Sequence, residues 1–167
     1  MTDMADYKKF IPILKKHEGG WSDDPSDPGG ATMCGVTLAI FREFYGDERT
    51  KEDLRNITDE QWSKIMKSYW DRCQGDKIDN QSIADVLVDW CVNSGTTAIR
   101  KVQFRFGLKT DGVVGHNTLS VLNGNDPRYV FDTIKSARIA YYNDLGKRMP
   151  KFLKGWLNRT NSFTFKG

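Results

Sequence analysis

The sequence contains few of the residues that bind metals or cross-link a chain. It has three cysteines and two histidines in 167 residues. No Cys-x-x-Cys pair or matching histidine spacing occurs, which argues against a zinc site and against a disulfide framework. A calcium-binding EF-hand aligned from Asp23 fails as well, because Pro28 and Cys34 stand where glycine and glutamate are required. We therefore expect reduced, largely buried thiols and neither a metal nor a cofactor.

Long apolar runs are also lacking. No stretch approaches the roughly 18 apolar residues of a membrane span, so we expect no stable membrane insertion. The N-terminal residues lack the basic and apolar regions of a signal peptide. The sequence therefore predicts synthesis in the cytoplasm, and a protein that works elsewhere would need a separate route of release.

The charge is distributed unevenly along the chain. Residues 1–95 carry 12 Lys and Arg against 18 Asp and Glu, whereas residues 96–167 carry 13 against 4. A basic second half favours an anionic partner such as a cell wall, a membrane surface or a nucleic acid, although scattered charges are also typical of a solvated face. No glycine-rich loop, helix-turn-helix composition or alternation of aromatic and basic residues is present, so we expect no nucleic-acid partner.

Capping residues and apolar periodicity predict a mainly α fold. Thr58 to Gln61 form a capping box, and the apolar residues that follow repeat at helical spacing. A helix from a Ser82 cap through Val92 has almost no polar face, so we expect it to be the buried central helix. Further helices are predicted near residues 7–17, 38–45, 97–106, 118–122, 126–145 and from 150 onwards. Only residues 19–37 leave room for a small β-hairpin.

The segment that begins at Glu18 concentrates acidic residues on a turn rich in glycine and proline. Glycoside hydrolysis needs a carboxylic acid that stays protonated near neutral pH. A glutamate at the end of an apolar helix can have its pKa raised by desolvation, and Glu18 occupies such a position. Taken alone, such a glutamate is more often a solvated residue at a helix end than a catalyst.

Three motifs in this segment resemble a known family. They are Glu18-Gly-Gly-Trp21, Asp24-Pro-x-Asp-Pro-Gly-Gly-x-Thr32 and Gly35-Val-Thr37. Together they resemble the N-terminal motif of the glycoside hydrolase family 108 muramidases, lysozyme-like enzymes found among phage endolysins and secretion-associated peptidoglycan hydrolases. The similarity continues through Tyr69-Trp70 and Val88-Asp-Trp-Cys-Val-Asn-Ser-Gly95. The second half is similar to the helical peptidoglycan-binding region that accompanies this family, at Gln103, Asp111-Gly-x-x-Gly115-x-x-Thr118 and Gly155-Trp-Leu-Asn-Arg159.

The resemblance implies a lysozyme-like helical fold and a bacteriolytic hydrolase that degrades the cell wall. It implies cleavage of the β-1,4 bond between N-acetylmuramic acid and N-acetylglucosamine in bacterial peptidoglycan. Residues 1–95 would be the catalytic muramidase region, and residues 96–167 would be the peptidoglycan-binding-like region, packed with the first as one compact unit. We expect a monomer that acts in the periplasm or outside the cell after release by a holin or an export system.

The resemblance also assigns roles to individual residues. The family's catalytic glutamate maps onto Glu18, the expected general acid. Asp27 has the spacing of the second carboxylate in phage-type lysozymes, and Thr32 is the nearby threonine, although that pattern would place the threonine at position 33. Contacts with the substrate are expected from Trp21, Asp24, Thr37 and Tyr69. Trp21 replaces the usual tyrosine, and Met33-Cys34 replaces a polar pair.

Two alternatives come from other classes of protein. A cysteine peptidase would use Cys34 with His17 or His116, but no pattern in the sequence places either histidine against the thiol. A non-catalytic peptidoglycan-binding module would use the basic second half together with exposed tryptophans as platforms for sugars. Trp21 and Trp156 are the candidates for that role, because the other three tryptophans lie on apolar helix faces and are predicted to be core residues.

Overall fold

The computed structural model describes residues 4–25 and 30–167, and this part of the chain is mainly helical. It contains nine α-helices: α1 Tyr7–His17, α2 Leu38–Tyr45, α3 Lys51–Arg55, α4 Asp59–Arg72, α5 Gln81–Ser94, α6 Thr96–Arg105, α7 His116–Gly124, α8 Pro127–Leu145 and α9 Pro150–Asn161. A 3₁₀ turn covers Gly75–Lys77. The predicted mainly α class is therefore confirmed. The chain forms two compact units, one of Pro12–Ser68 and one of Tyr69–Gly167 with the N-terminal residues through Ile11.

A small antiparallel sheet lies between α1 and α2, within the range predicted for a hairpin. Its strands are β1 Trp21–Ser22, β2 Thr32–Met33 and β3 Val36–Thr37, in the order β1-β2-β3. Met33 pairs with Val36, which leaves Cys34 and Gly35 as a two-residue turn. Both turn residues have positive φ, 49° and 82°. Tight hairpins favour this geometry because its twist matches that of the strands.

Side-chain caps determine where several helices begin. The predicted capping box is present: Thr58 Oγ1 accepts from Gln61 N at 3.1 Å, and Thr58 N donates to Gln61 Oε1 at 3.0 Å.

The sequence prediction overlooked α3, whose own capping box joins Thr50 and Asp53. The Ser82 cap was wrong, because Asn80 Oδ1 accepts from Ile83 N at 3.0 Å and α5 begins earlier. Ser82 instead accepts a hydrogen bond from Lys166 N.

Helix α5 is the centre of its unit, as predicted. Every residue from Ser82 to Cys91 is buried, including Trp90, and the helix packs against α6 and α8. The hydrophobic side chains on these helices exclude water from the few polar groups among them. Most buried polar groups in proteins are hydrogen-bonded, and the buried carboxylates of α5 follow this rule.

Asp89 on α5 is the most deeply buried carboxylate in this unit. Its Oδ2 accepts from Arg138 on α8 at 2.8 Å, and its Oδ1 accepts from Arg159 on α9 at 2.7 Å. Burial by itself would raise the pKa of Asp89, but the two guanidinium groups outweigh it and hold that pKa below its ordinary value. One carboxylate therefore ties three helices together.

The pKa of Asp85, one turn earlier on α5, is shifted in the opposite direction. It is buried, it accepts a hydrogen bond from Gln81 at 2.8 Å, and burial raises its pKa to about 6. Because this pKa is higher in the folded than in the unfolded chain, the contribution of Asp85 to stability falls as pH rises from about 4 to about 6.

We expect Asp85→Asn to stabilise the protein at neutral pH. Asparagine retains an acceptor for Gln81 and removes the buried charge, so the free energy of unfolding at pH 7 rises by about 1–3 kcal/mol. Below pH 4 the gain disappears, because the aspartic acid is then protonated. Urea unfolding of both proteins at pH 3.5, 5 and 7 measures this, and an equal difference at all three pH values would contradict it.

Candidate active site

Glu18 lies immediately beyond the last residue of α1. Its N–H donates to the Leu14 carbonyl at 3.0 Å, so the helical hydrogen-bond pattern continues to this residue before the chain turns away. Gly19 and Gly20 then lead into β1. The Glu18 side chain is half-buried. The predicted placement of this carboxylate at the end of the first helix is therefore confirmed.

The turn between β2 and β3 packs directly against the Glu18 carboxylate. A Cβ atom built on Gly35 would lie 2.5 Å from Glu18 Cδ and 2.9 Å from Oε1, distances that no real Cβ tolerates. The φ of +82° at Gly35 also disfavours any residue with a side chain. Glycine is thus required here both for the turn and for the close approach of the carboxylate to the backbone.

Glu18 forms part of the wall of an open cavity of about 380 Å³ within the unit Pro12–Ser68. The lining residues are Lys15, Glu18, Met33, Cys34, Ile57, Thr58, Asp59 and Trp62. Apolar walls with a few convergent charged groups, at this volume, are typical of small-molecule sites. The cavity brings together residues from the end of α1, the β2–β3 turn and the start of α4.

Trp62 connects the wall of the cavity to the turn. The residue is 5% exposed, which confirms the prediction of a core residue. Its Nε1 donates to the Cys34 carbonyl at 2.8 Å, and the Lys15 ammonium lies 5.6 Å from its ring centroid. Because Gly35 follows Cys34, this hydrogen bond also holds the backbone against which the Glu18 carboxylate rests. The sequence pattern indicated that Trp62 was buried but gave no sign of this second role.

Cys34 lies in the cavity, but the pKa of its thiol is shifted in the direction opposite to that of a nucleophilic cysteine. Burial, and then the negative charges of Glu18 and Asp59, raise the pKa of its thiol above the ordinary value. The reactive form of cysteine is the thiolate, which active-site cysteines reach through a lowered pKa. This environment argues against the cysteine peptidase alternative.

Asp59 is a second carboxylate in the cavity, and the sequence prediction did not include it. It is the first residue of α4 and directly follows the Thr58 cap. An acidic residue in the first turn of a helix is explained by the helix dipole alone, so the sequence offered no separate signal. Only the folded chain places Asp59 beside the cavity that Glu18 lines.

Asp27 lies outside the described residues, so its predicted role as second carboxylate stays a prediction.

Thr32 lies in β2, where side chains alternate between the two faces of the sheet. It pairs with Ser22 of β1 and with Thr37 of β3, and it is not among the residues that line the cavity. The Thr37 hydroxyl accepts from Ile40 N at 3.2 Å and caps α2. Asp24 is half-buried just beyond β1.

The two remaining predicted residues are aromatic and half-exposed. Trp21 in β1 has the Arg55 guanidinium 5.6 Å from its ring centroid. Tyr69 belongs to the other compact unit, where the Arg72 guanidinium lies 5.9 Å from its ring. Their contacts with substrate stay predictions.

Groups that could bind a metal ion are absent from the part of the chain that the structure describes. There, no three His, Cys, Asp or Glu side chains come together in a suitable cluster. Among the same residues, no helix has the length and apolar character needed to cross a membrane.

Comparisons with known proteins give matches in both halves of the chain. The family model described as Glycosyl hydrolase 108 matches residues 11–95, and the model described as Predicted Peptidoglycan domain matches residues 97–161. Among 12 matching chains of solved structures is the one described as "Structure of Brucella abortus SagA". That chain is 27% identical with a TM-score of 0.78, and the match covers 94% of each chain. A comparison with curated proteins gives no match.

Proposed function

The chain belongs to glycosyl hydrolase family 108, and on this premise we propose that it is a lysozyme-like N-acetylmuramidase. Its substrate would be bacterial peptidoglycan, cut at the β-1,4 bond between N-acetylmuramic acid and N-acetylglucosamine. The observation that carries the proposal is the Glu18 carboxylate, held against the Gly35 backbone in the wall of a cavity. The match of residues 97–161 to a predicted peptidoglycan domain supports the choice of polymer.

Glu18 acts as the general acid in this mechanism. Its carboxylic acid donates a proton to the glycosidic oxygen while the bond from that oxygen to the anomeric carbon breaks. Positive charge then develops on the sugar ring, and a water molecule completes the hydrolysis. The close contact with Gly35 and the Trp62 hydrogen bond fix the position from which the proton leaves.

A second group must activate that water or stabilise the charge on the sugar. Asp27, aided by Thr32, is the partner that the family motif favours. Asp59 is the carboxylate that the cavity itself supplies. Both are acceptable on chemical grounds, because a carboxylate is the group that activates the water or stabilises the charged sugar in glycoside hydrolysis.

Separate Asp27→Asn and Asp59→Asn variants distinguish the two. We expect the true second group to lose about 10²–10⁴ in hydrolysis rate, and the other variant to lose only a few-fold. Initial rates of release of new reducing ends from purified peptidoglycan give both values. Near-normal rates in both variants would exclude a second carboxylate at either position.

The identity of the new chain ends tests the proposed function. Purified peptidoglycan is digested with the wild type, reduced with borohydride and analysed by mass spectrometry. A muramidase leaves N-acetylmuramic acid at the new reducing end, so reduced muramic acid should accumulate. Ends that carry N-acetylglucosamine, or no new ends, would overturn the proposal.

A non-catalytic peptidoglycan-binding module is the second candidate. It is favoured by the basic second half and by the predicted peptidoglycan domain, neither of which requires cleavage. Sedimentation of the protein with insoluble peptidoglycan, without release of soluble fragments, would support this candidate.

The wider role follows from the same proposal. A muramidase of this kind would be bacteriolytic, as endolysins are, once a holin or an export system brought it to the wall. We propose that it acts there as a monomer. Loss of turbidity of chloroform-permeabilised bacteria, and none with intact cells, is the expected behaviour.

We expect Gly35→Ala to lose activity beyond its effect on stability. The new methyl group overlaps the Glu18 carboxylate and displaces it, so the rate should fall at least about tenfold, the cost of roughly 1.4 kcal/mol in the transition state. Gly107→Ala is the matched control, because φ there is +69° and a Cβ meets nothing within 4 Å. Each variant places a side chain at positive φ, so the backbone alone should cost each about 1–2 kcal/mol of stability. Equal activity in the two, measured by release of reducing ends, would contradict this role for Gly35.

A further inference from the structure

Cys73 and Cys91 form a buried pair of thiols in the unit that contains α5. Their Sγ atoms lie 3.1 Å apart, and both side chains are fully inaccessible to solvent. Cys73 directly follows α4, whereas Cys91 is near the C-terminal end of α5, 18 residues later. Both are free cysteines. Neither lines the cavity of the proposed active site.

We propose that Cys73 and Cys91 are a disulfide site that closes when the protein reaches an oxidising compartment. A disulfide bond is about 2.05 Å long, so the sulfur atoms need to approach by only about 1 Å. The two thiols are already in contact in the reduced protein. The oxidising location rests on the proposed function at the cell wall. The pairing of the two thiols is independent of that function.

The reaction is thiol–disulfide exchange with another disulfide, either glutathione disulfide or the disulfide of an oxidised dithiol protein. One cysteine thiolate attacks the acceptor disulfide, which gives a mixed disulfide and releases one thiol. The second cysteine then displaces the remaining thiol. The pair loses two protons and two electrons, and the acceptor disulfide becomes two thiols.

Burial of the two thiols slows their oxidation, and the disulfide forms only where an oxidant is present. The hydrogen bond with Cys91 and burial raise the pKa of Cys73 well above its ordinary value. Oxidation therefore proceeds through a transient opening that exposes one thiol. In the reducing cytoplasm the pair stays as two thiols, and outside it the bond forms once and is then protected by burial.

The bond would stabilise the folded protein by restricting the unfolded chain. It closes a loop that contains the 3₁₀ turn and most of α5, the helix that carries Asp89. Closing a loop of this length is expected to raise Tm by roughly 5–10 °C in a protein of this size.

The test uses the full chain with Cys34→Ser, which removes the half-exposed third thiol. The protein is incubated with oxidised glutathione or with a reductant, denatured and treated with an alkylating agent. We expect the oxidised sample to take up no alkyl groups, to lose the mass of two hydrogen atoms and to show the higher Tm. Addition of Cys91→Ala gives the control, in which the bond cannot form and Tm should not respond to the redox state.

Each outcome decides the inference. Two alkylated cysteines after prolonged oxidation, even in a urea concentration that opens the core, would overturn it. A bond that forms without raising Tm above that of the reduced sample would overturn the stabilising role. Because the readouts are mass and Tm, failure here is distinct from failure to cleave peptidoglycan.

Discussion

Glu18→Gln is expected to lose about 10²–10⁴ in the rate of peptidoglycan hydrolysis while it folds like the wild type. Glutamine has nearly the same shape as glutamic acid, so it can occupy the same space beside Gly35. Its amide has no acidic proton to give to a leaving glycosidic oxygen. The loss should therefore appear in kcat, and binding to peptidoglycan should change little.

The measurement is the initial rate of release of reducing ends, with circular dichroism and Tm to confirm the fold. Glu43→Gln is a matched control, because it makes the same change at an exposed position on α2. That control should keep wild-type activity. If Glu18→Gln also kept it, Glu18 would not be the general acid.

Asp89→Ala is expected to destabilise the protein by about 3–5 kcal/mol. Arg138 is fully buried and Arg159 is largely buried, and the substitution leaves both guanidinium groups without their carboxylate. Burying an unpaired charge costs far more than the pair itself contributes. The midpoint of urea unfolding should fall accordingly.

Asp132→Ala provides the comparison for this prediction. Asp132 pairs with Arg128 at 3.4 Å on the exposed face of α8, the helix that also carries Arg138. Exposed pairs contribute little, so its unfolding midpoint should stay close to that of the wild type. Equal effects of the two substitutions would contradict the structural role of Asp89.

The dependence on pH separates Asp89 from Asp85. The pKa of Asp89 is lowered in the folded protein, so its stabilising contribution is complete above about pH 4 and is lost as pH falls through the folded pKa. The cost of Asp89→Ala should therefore be constant from pH 5 to 8 and shrink in acid. For Asp85, whose pKa is raised, the change falls between pH 4 and 6.

Local features of the fold were predictable from the sequence. The capping box at Thr58 and the cap at Thr37 each involve residues only three positions apart, so the local sequence is enough to indicate them. Both are present. The buried character of α5 was predictable because the apolar residues between Ile83 and Val92 leave almost no polar face. The cap of α5 was misplaced because Asn80 and Ser82 are both good capping residues, and only the backbone geometry decides between them.

Contacts between distant residues were not predictable. Asp89 meets residues 49 and 70 positions away, and no local pattern indicates such pairs. The packing of Gly35 against Glu18 and the placement of Asp59 likewise depend on how the turn and α4 fold against α1. Family resemblance made Glu18 the candidate general acid, whereas the surroundings of its carboxylate emerged only from the structure.

The most direct test of the central claim is a crystal structure of Glu18→Gln with a bound peptidoglycan tetrasaccharide. The claim is that peptidoglycan is cut in the cavity beside residue 18. It predicts a bond between muramic acid and glucosamine lying across this cavity, with its oxygen about 3 Å from the amide of residue 18. A tetrasaccharide bound with every glycosidic oxygen beyond the reach of that side chain would contradict it.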